Sequence, residues 1–153
     1  MLMTKLGRGV LVGAIVMMIL IAVAIALLVL ATYGFNEAVR QGNQAAALVN
    51  LRTVTAVEAK YSKDHAGQFG TFNQLVAEQM LDRRFDGDKP IVDGYEFSLK
   101  IRNDRASSWF QVNADPQNSK TGARHFYLDS SSQGIHCNDN QPATAADRLC
   151  LSN

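Results

Sequence analysis

The chain has 153 residues, a formal net charge of +1 and a charged fraction of 19%. This charge balance has no basic excess, so it gives no indication of a nucleic-acid partner. A long apolar stretch near the N-terminus takes up part of the length. What remains is enough for only one small domain.

Residues 10–31 form that stretch, VLVGAIVMMILIAVAIALLVLA, which has neither a charged residue nor proline. About 22 helical residues span roughly 33 Å at ~1.5 Å per residue, enough to cross the ~30 Å apolar core of a bilayer. The rest of the chain, about 120 residues of ordinary polarity, is too small to surround such a helix on every side. We therefore predict a transmembrane helix over residues 10–34.

The charges that flank this helix predict its orientation. Lys5 and Arg8 precede it, and the first acidic residue, Glu37, follows it. Since basic residues stay on the cytoplasmic side, residues 1–9 are expected inside, and residues 35–153 outside as an extracytoplasmic domain. A cleaved signal peptide is the alternative, but its apolar region is usually 7–15 residues long and residues 31–33 (ATY) match its cleavage site poorly. The expected location is an inner membrane, crossed once, with the domain periplasmic or extracellular.

The composition changes after the membrane segment, but helix formers continue without proline to about Lys63. Apolar residues recur there at spacings of three or four, which predicts an amphipathic helix that packs one face on a domain. This stripe comprises Ala47, Leu51, Val54, Val57 and Tyr61. Membrane and amphipathic segments together predict one rod of about 50 residues, whereas a tethered enzyme usually has a flexible linker at this point.

Turn-forming residues 64–70 end the helix, and a short helix is predicted over residues 71–81 with Thr71 as its cap. Residues 82–93 form a charged loop. Alternating apolar residues then predict strands over residues 95–102 and 109–114, followed by two shorter ones over residues 124–128 and 135–137. The fold class is therefore α+β, with a long N-terminal helix packed on a small antiparallel sheet of three to four strands.

Two cysteines, Cys137 and Cys150, lie near the C-terminus. In an oxidising compartment outside the cytoplasm they are expected to pair, and closing a loop of ~14 residues adds about 3 kcal/mol in the chain-entropy model. Metal binding is the alternative because His136 adjoins Cys137, but a fourth ligand at a suitable spacing is missing. The disulfide is the preferred interpretation.

Few residues indicate other chemistry. His65, His125 and His136 are scattered, without a recognisable nucleophile or partner, and His125 is expected to be structural. Asp86 and Asp88 flank a glycine in the charged loop and are weak candidates for calcium, since the full EF-hand pattern is missing and nearby basic residues can neutralise the loop. We predict no enzymatic activity and no cofactor.

Several short motifs resemble the type IV pilins and type II secretion pseudopilins. They are residues 50–54 (NLRTV), 58–61 (EAKY), 94–97 (GYEF), 114–116 (ADP) and 121–129 (TGARHFYLD), with Gly134 after them. The resemblance covers residues 45–136 in sequence and the whole chain in layout. It implies a pilin-like fold, a filament of such subunits as the function, and an assembly machinery, a membrane and other pilin or pseudopilin subunits as partners.

The N-terminus departs from this family. A leader peptidase cut after Gly9 would leave Val10 first and Ala14 at the position where the family has a glutamate, and the mid-helix proline of the family is missing too. Since a buried carboxylate is costly unless it is paired, the glutamate of the family implies a partner for it. This chain lacks the glutamate and has therefore lost one docking contact with a neighbouring subunit. Three interpretations follow: a minor pilin at a filament tip, a subunit that relies on apolar packing, or a pilin-derived domain that is never cleaved. The last corresponds to a membrane-anchored periplasmic binding or accessory domain.

Overall fold

The computed structural model describes residues 3–104 and 107–150, with side chains from residue 10 onward. The chain divides into two compact units, Met1–Ala38 and Val39–Asn153. Helix α1 (Met3–Asp64) contributes to both, with 62 residues in one unbroken helix. The predicted segment 1–9 lies partly outside the described residues, and the described side chains begin at Val10.

Helix α1 ends where the chain enters the left-handed backbone region. Ala66 and Gly67 have φ angles of 54° and 85°, and the N–H of Gly67 donates to the carbonyl of Ser62 at 2.8 Å. This bond satisfies one of the carbonyl groups that a helix leaves unpaired at its C-terminus. The turn residues after Asp64 thus stop the helix at the predicted place.

The second helix, α2 (Phe72–Ala77), begins at the predicted cap but is shorter than predicted. The Thr71 hydroxyl accepts a hydrogen bond from the N–H of Gln74, and the Gln74 side chain accepts one from the N–H of Thr71, which is a capping box. Gln79 then adopts φ 58°, so the helix cannot continue to Leu81. A 3₁₀ turn over Arg83–Phe85 follows.

The sheet has five antiparallel strands in the order β1-β2-β3-β4-β5, and the predicted α+β class is confirmed. The strands are β1 (Ile91–Val92), β2 (Tyr95–Asn103), β3 (Ser108–Pro116), β4 (His125–Asp129) and β5 (His136–Asn138). The prediction of three to four strands missed β1, which has only two residues and lies in the predicted charged loop. Asp93 and Gly94, with φ 51° and 77°, join it to β2 in the tight turn that suits a hairpin.

The core of the second unit lies between one face of the sheet and one face of α1. On the sheet, Tyr95 and Phe97 of β2 are fully buried, and Val112 of β3 pairs in register with Leu128 of β4. Four side chains of the predicted helical stripe are buried in the same core: Ala47, Leu51, Val54 and Tyr61. The fifth, Val57, is partly exposed and packs against this core.

Tyr95 shows how closely this core is packed. Its hydroxyl donates to the carbonyl of Arg124 at 3.0 Å, and burial raises its pKa to about 12. Gly122 lies against the same ring, since a Cβ atom added there would be 2.7 Å from Tyr95 Cζ. A side chain at position 122 would therefore force the ring or the backbone to move.

Candidate functional site

The apolar N-terminal part of α1 is the largest exposed hydrophobic surface of the described chain. Every residue from 10 to 39 is exposed, and the large apolar side chains of residues 10–31 are between 44% and 70% exposed. Soluble proteins rarely expose a continuous apolar surface of this size. By length and composition this is one helix that can span a membrane.

The second half of α1 also has an exposed face, opposite the buried stripe. This face has small side chains, with the larger apolar Val49 among them, at spacings of three or four residues: Gly42, Ala45, Val49, Thr53 and Ala56. The Thr53 hydroxyl donates to the carbonyl of Val49 at 3.0 Å, so its polar group is satisfied within the helix. Small side chains allow another helix to approach the backbone closely.

A groove of about 540 Å³ lies between α1, the β4–β5 turn and the C-terminal segment. Its wall is mostly apolar, with one exposed cation, and includes Leu48, Arg52, Leu128, Ile135, Leu149 and Cys150. Leu149 is half exposed.

The C-terminal segment forms one wall of this groove and is held to β5. Cys137 and Cys150 form a disulfide. Around it the N–H of Cys137 donates to the carbonyl of Arg148, and the N–H of Cys150 donates to the carbonyl of Ile135 at 2.7 Å. The segment thus covers the edge of the sheet that would otherwise be open.

Reducing this disulfide is expected to lower the free energy of unfolding by about 3 kcal/mol, because the unfolded chain gains the freedom of the loop that the bond closes. The measurement is chemical denaturation with and without reductant, and Cys137→Ser/Cys150→Ser gives the same comparison without reductant. Equal midpoints for the oxidised and reduced protein would contradict the expectation.

The three histidines lie apart, each with its own partner. His65 Nε2 is 3.1 Å from a carboxylate oxygen of Glu78, His125 Nδ1 is 2.6 Å from Asp115 Oδ1, and His136 Nδ1 is 2.6 Å from the carbonyl of Asp147. His136 lies on β5 beside Cys137, whose sulfur belongs to the disulfide. Each histidine contact joins two segments of the fold.

The two candidate calcium ligands, Asp86 and Asp88, are exposed. Within the described ranges, no group of three or more His, Cys, Asp or Glu side chains could hold a metal ion. In the same loop Arg84 binds Asp82 and Asp93, and Lys89 binds Glu96 at 2.9 Å. Arg84 thus pairs with two of the loop aspartates, whereas the partner of Lys89 lies on β2.

The apolar stripe of the sequence does not include Glu58, although the residue belongs to the motif 58–61. It is fully buried in α1, and its Oε2 accepts a hydrogen bond from the N–H of Gly70 at 3.0 Å. Its position could have been found from spacing, because residue 58 lies four residues after Val54 and three before Tyr61. The predicted stripe placed the smaller and more apolar Val57 there instead.

No protein-family model matches the chain, and no curated protein or solved structure is significantly similar to it.

Proposed function

We propose that the chain is a pilin-like structural subunit, anchored in a membrane, that assembles into or caps a type IV pilus or type II secretion pseudopilus filament. In this proposal the exposed apolar helix leaves the lipid and packs with copies of itself or with related subunits. The apolar side chains then exchange lipid contacts for contacts with neighbouring helices. Other pilin or pseudopilin subunits and an assembly machinery are the proposed partners.

One observation carries the proposal. Helix α1 runs unbroken from Met3 to Asp64, and its residues 10–31 are exposed and apolar while the stripe from Ala47 to Tyr61 belongs to the core of the second unit. A domain that is only tethered to a membrane usually follows a flexible linker rather than such a helix. A filament subunit needs its anchor to be structurally continuous with its domain.

The exposed small side chains of α1 support the same proposal. The face with Gly42, Ala45, Val49, Thr53 and Ala56 permits close packing of a second helix. Ala14 stands where the resembling family has a glutamate, so docking in this chain would depend on apolar and small-residue packing rather than on a buried ion pair.

The proposed location is an inner membrane, crossed once, with the domain in the periplasm or on the cell surface. Lys5 and Arg8 favour a cytoplasmic N-terminus. The disulfide between Cys137 and Cys150 favours an oxidising compartment for the domain. Leader peptidase cleavage between Gly9 and Val10 would precede assembly.

A second function is a membrane-anchored periplasmic domain that binds a partner without polymerising. The apolar groove of about 540 Å³ beside Leu48 and Leu149 favours it, since this volume suits a short apolar segment of another protein. The missing glutamate favours it as well.

The intact mass of the protein from its native membrane tests the filament proposal. A loss equal to residues 1–9 is expected if a leader peptidase processes the chain. Cross-linking in cells then tests contact between copies: Val49→Cys, on the exposed face of α1, is expected to form dimers. Lys100→Cys, exposed on β2, is the control and is expected to stay monomeric. An uncut chain without Val49→Cys dimers would contradict the filament and favour the lone anchored domain.

A further inference from the structure

The carboxyl group of Glu58 is buried with only part of its hydrogen-bonding capacity used. Its side chain is 0% exposed, and Oε2 accepts a single hydrogen bond, from the N–H of Gly70. Among the described residues, its other oxygen, Oε1, is buried without a hydrogen-bond partner. A charged carboxylate is costly in such a place, whereas a neutral carboxyl costs much less.

Glu58 holds the segment that leaves α1, residues 65–71, which we name the junction. The junction is also attached to the sheet: the Phe69 N–H donates to Asn103 Oδ1, and Asn103 Nδ2 donates to the Phe69 carbonyl, both at 2.9 Å. The Phe69 ring also packs edge-on against Phe110, with 4.9 Å between the ring centres. The Glu58 carboxyl is therefore one of the links between α1 and a segment that is also tied to β2 and β3, beside the Gly67–Ser62 backbone bond and the stacking of His65 on Tyr61.

Gly70, whose N–H donates to Glu58, is closely packed against its neighbours. A Cβ atom added at Gly70 would be 3.0 Å from Leu75 and 3.1 Å from the Tyr61 ring. The Glu58 side chain is 0% exposed, so bulk water does not contact its carboxyl group while the junction is packed in place. To solvate a charge there, the junction has to move away from α1.

We propose that Glu58 is a proton-controlled latch between α1 and the junction. With the carboxyl protonated, the junction closes on α1 and Gly70 donates to Glu58. With the carboxylate ionised, the junction opens so that water reaches the charge. This latch is a property of the second unit and does not depend on the filament proposal.

The titratable groups around the latch do not replace Glu58 in this role. On α1 the nearest is Tyr61, whose pKa is raised by its burial and by Glu78 and Glu58. His65, in the junction, stacks on Tyr61 and pairs with Glu78 at the end of α2, and the sheet contributes the uncharged Asn103 and Phe110. None of the described cationic side chains forms an ion pair with Glu58.

The direction of the pH dependence follows from burial. Burial raises the pKa of Glu58 from 4.5 to about 7, and the Gly70 hydrogen bond lowers it by less. A carboxyl group whose pKa is raised in the closed form stabilises that form fully at a pH below its ordinary pKa of 4.5. This stabilisation is lost as the pH rises from there to about 7. The junction is thus closed in acid and opens towards neutral and alkaline pH.

Amide hydrogen exchange in the full chain in detergent micelles tests the latch. After correction for the chemical exchange rate, the opening equilibrium of residues 65–71 is expected to rise roughly 25-fold from pH 5.5 to pH 8.0. Glu58→Gln keeps an oxygen that can accept from Gly70 but cannot ionise, so its change is expected to stay within about twofold. His65→Gln, the matched control, is expected to keep the full response. A flat profile in the wild type, or a full response in Glu58→Gln, would overturn the proposal.

A direct titration covers the case in which Glu58→Gln does not fold. The carboxyl carbon of Glu58 in the wild-type protein is followed by NMR together with the Gly70 amide. A shared midpoint near pH 7 is expected. A Glu58 midpoint near its ordinary value of 4.5, or a Gly70 signal that does not move with it, would refute the latch.

Discussion

A chain with Ile19→Lys and Val23→Lys is expected to lose stable membrane insertion. Both residues lie near the middle of the apolar segment, one helical turn apart and more than half exposed. A lysine at the centre of a membrane helix costs about 3 kcal/mol on the insertion scale, so two cost about 6 kcal/mol. In carbonate extraction, the wild type is expected in the membrane pellet and the double variant in the supernatant.

The control uses the same two lysines outside the apolar segment. Val49→Lys and Thr53→Lys are also one turn apart and exposed on α1, but they lie after the segment that would span the bilayer. This variant is expected to stay in the membrane pellet. If the Ile19→Lys/Val23→Lys chain also stayed there, the apolar segment would not be the anchor.

Phe97→Ala is expected to lower the free energy of unfolding by about 3–5 kcal/mol. Phe97 is fully buried in β2, and its ring meets Phe85 edge-on with 5.2 Å between the ring centres. The substitution removes an aromatic side chain from the middle of the core and leaves a cavity that the neighbouring strands cannot close. Chemical denaturation in detergent, followed by the fluorescence of Trp109, measures the loss.

Ile91→Ala is the matched control for Phe97→Ala. Ile91 belongs to the neighbouring strand β1 but is half exposed, so its truncation is expected to cost less than about 1 kcal/mol. Equal losses for the two variants would mean that the face of β2 with Phe97 is not the core of the second unit.

Local patterns along the chain were enough to predict most elements. The alternation of Tyr95, Phe97, Leu99 and Ile101 predicted β2, and the proline-free run through Lys63 predicted the continuation of α1. Thr71 predicted the start of α2 because a cap needs only residues three positions apart. The two cysteines predicted the disulfide, since no other thiol could compete for either partner.

The missed features are ones that hydrophobic periodicity does not reveal. Strand β1 has only two residues and is defined by its pairing with β2, so no periodicity could reveal it. The early end of α2 depends on the left-handed backbone at Gln79, a residue type without a strong preference for that conformation.

Hydrophobic periodicity and chain chemistry therefore settle the apolar segment, the α+β class and the disulfide, because these depend on the hydrophobicity, spacing and thiol content of single stretches. Packing in three dimensions decides the groove beside Leu149 and the burial of Glu58. A glutamate on a helix is normally expected in water, but this one is fully buried and accepts a hydrogen bond from Gly70, twelve residues later. Burying this carboxyl group costs free energy, and the packing of the surrounding core offsets that cost.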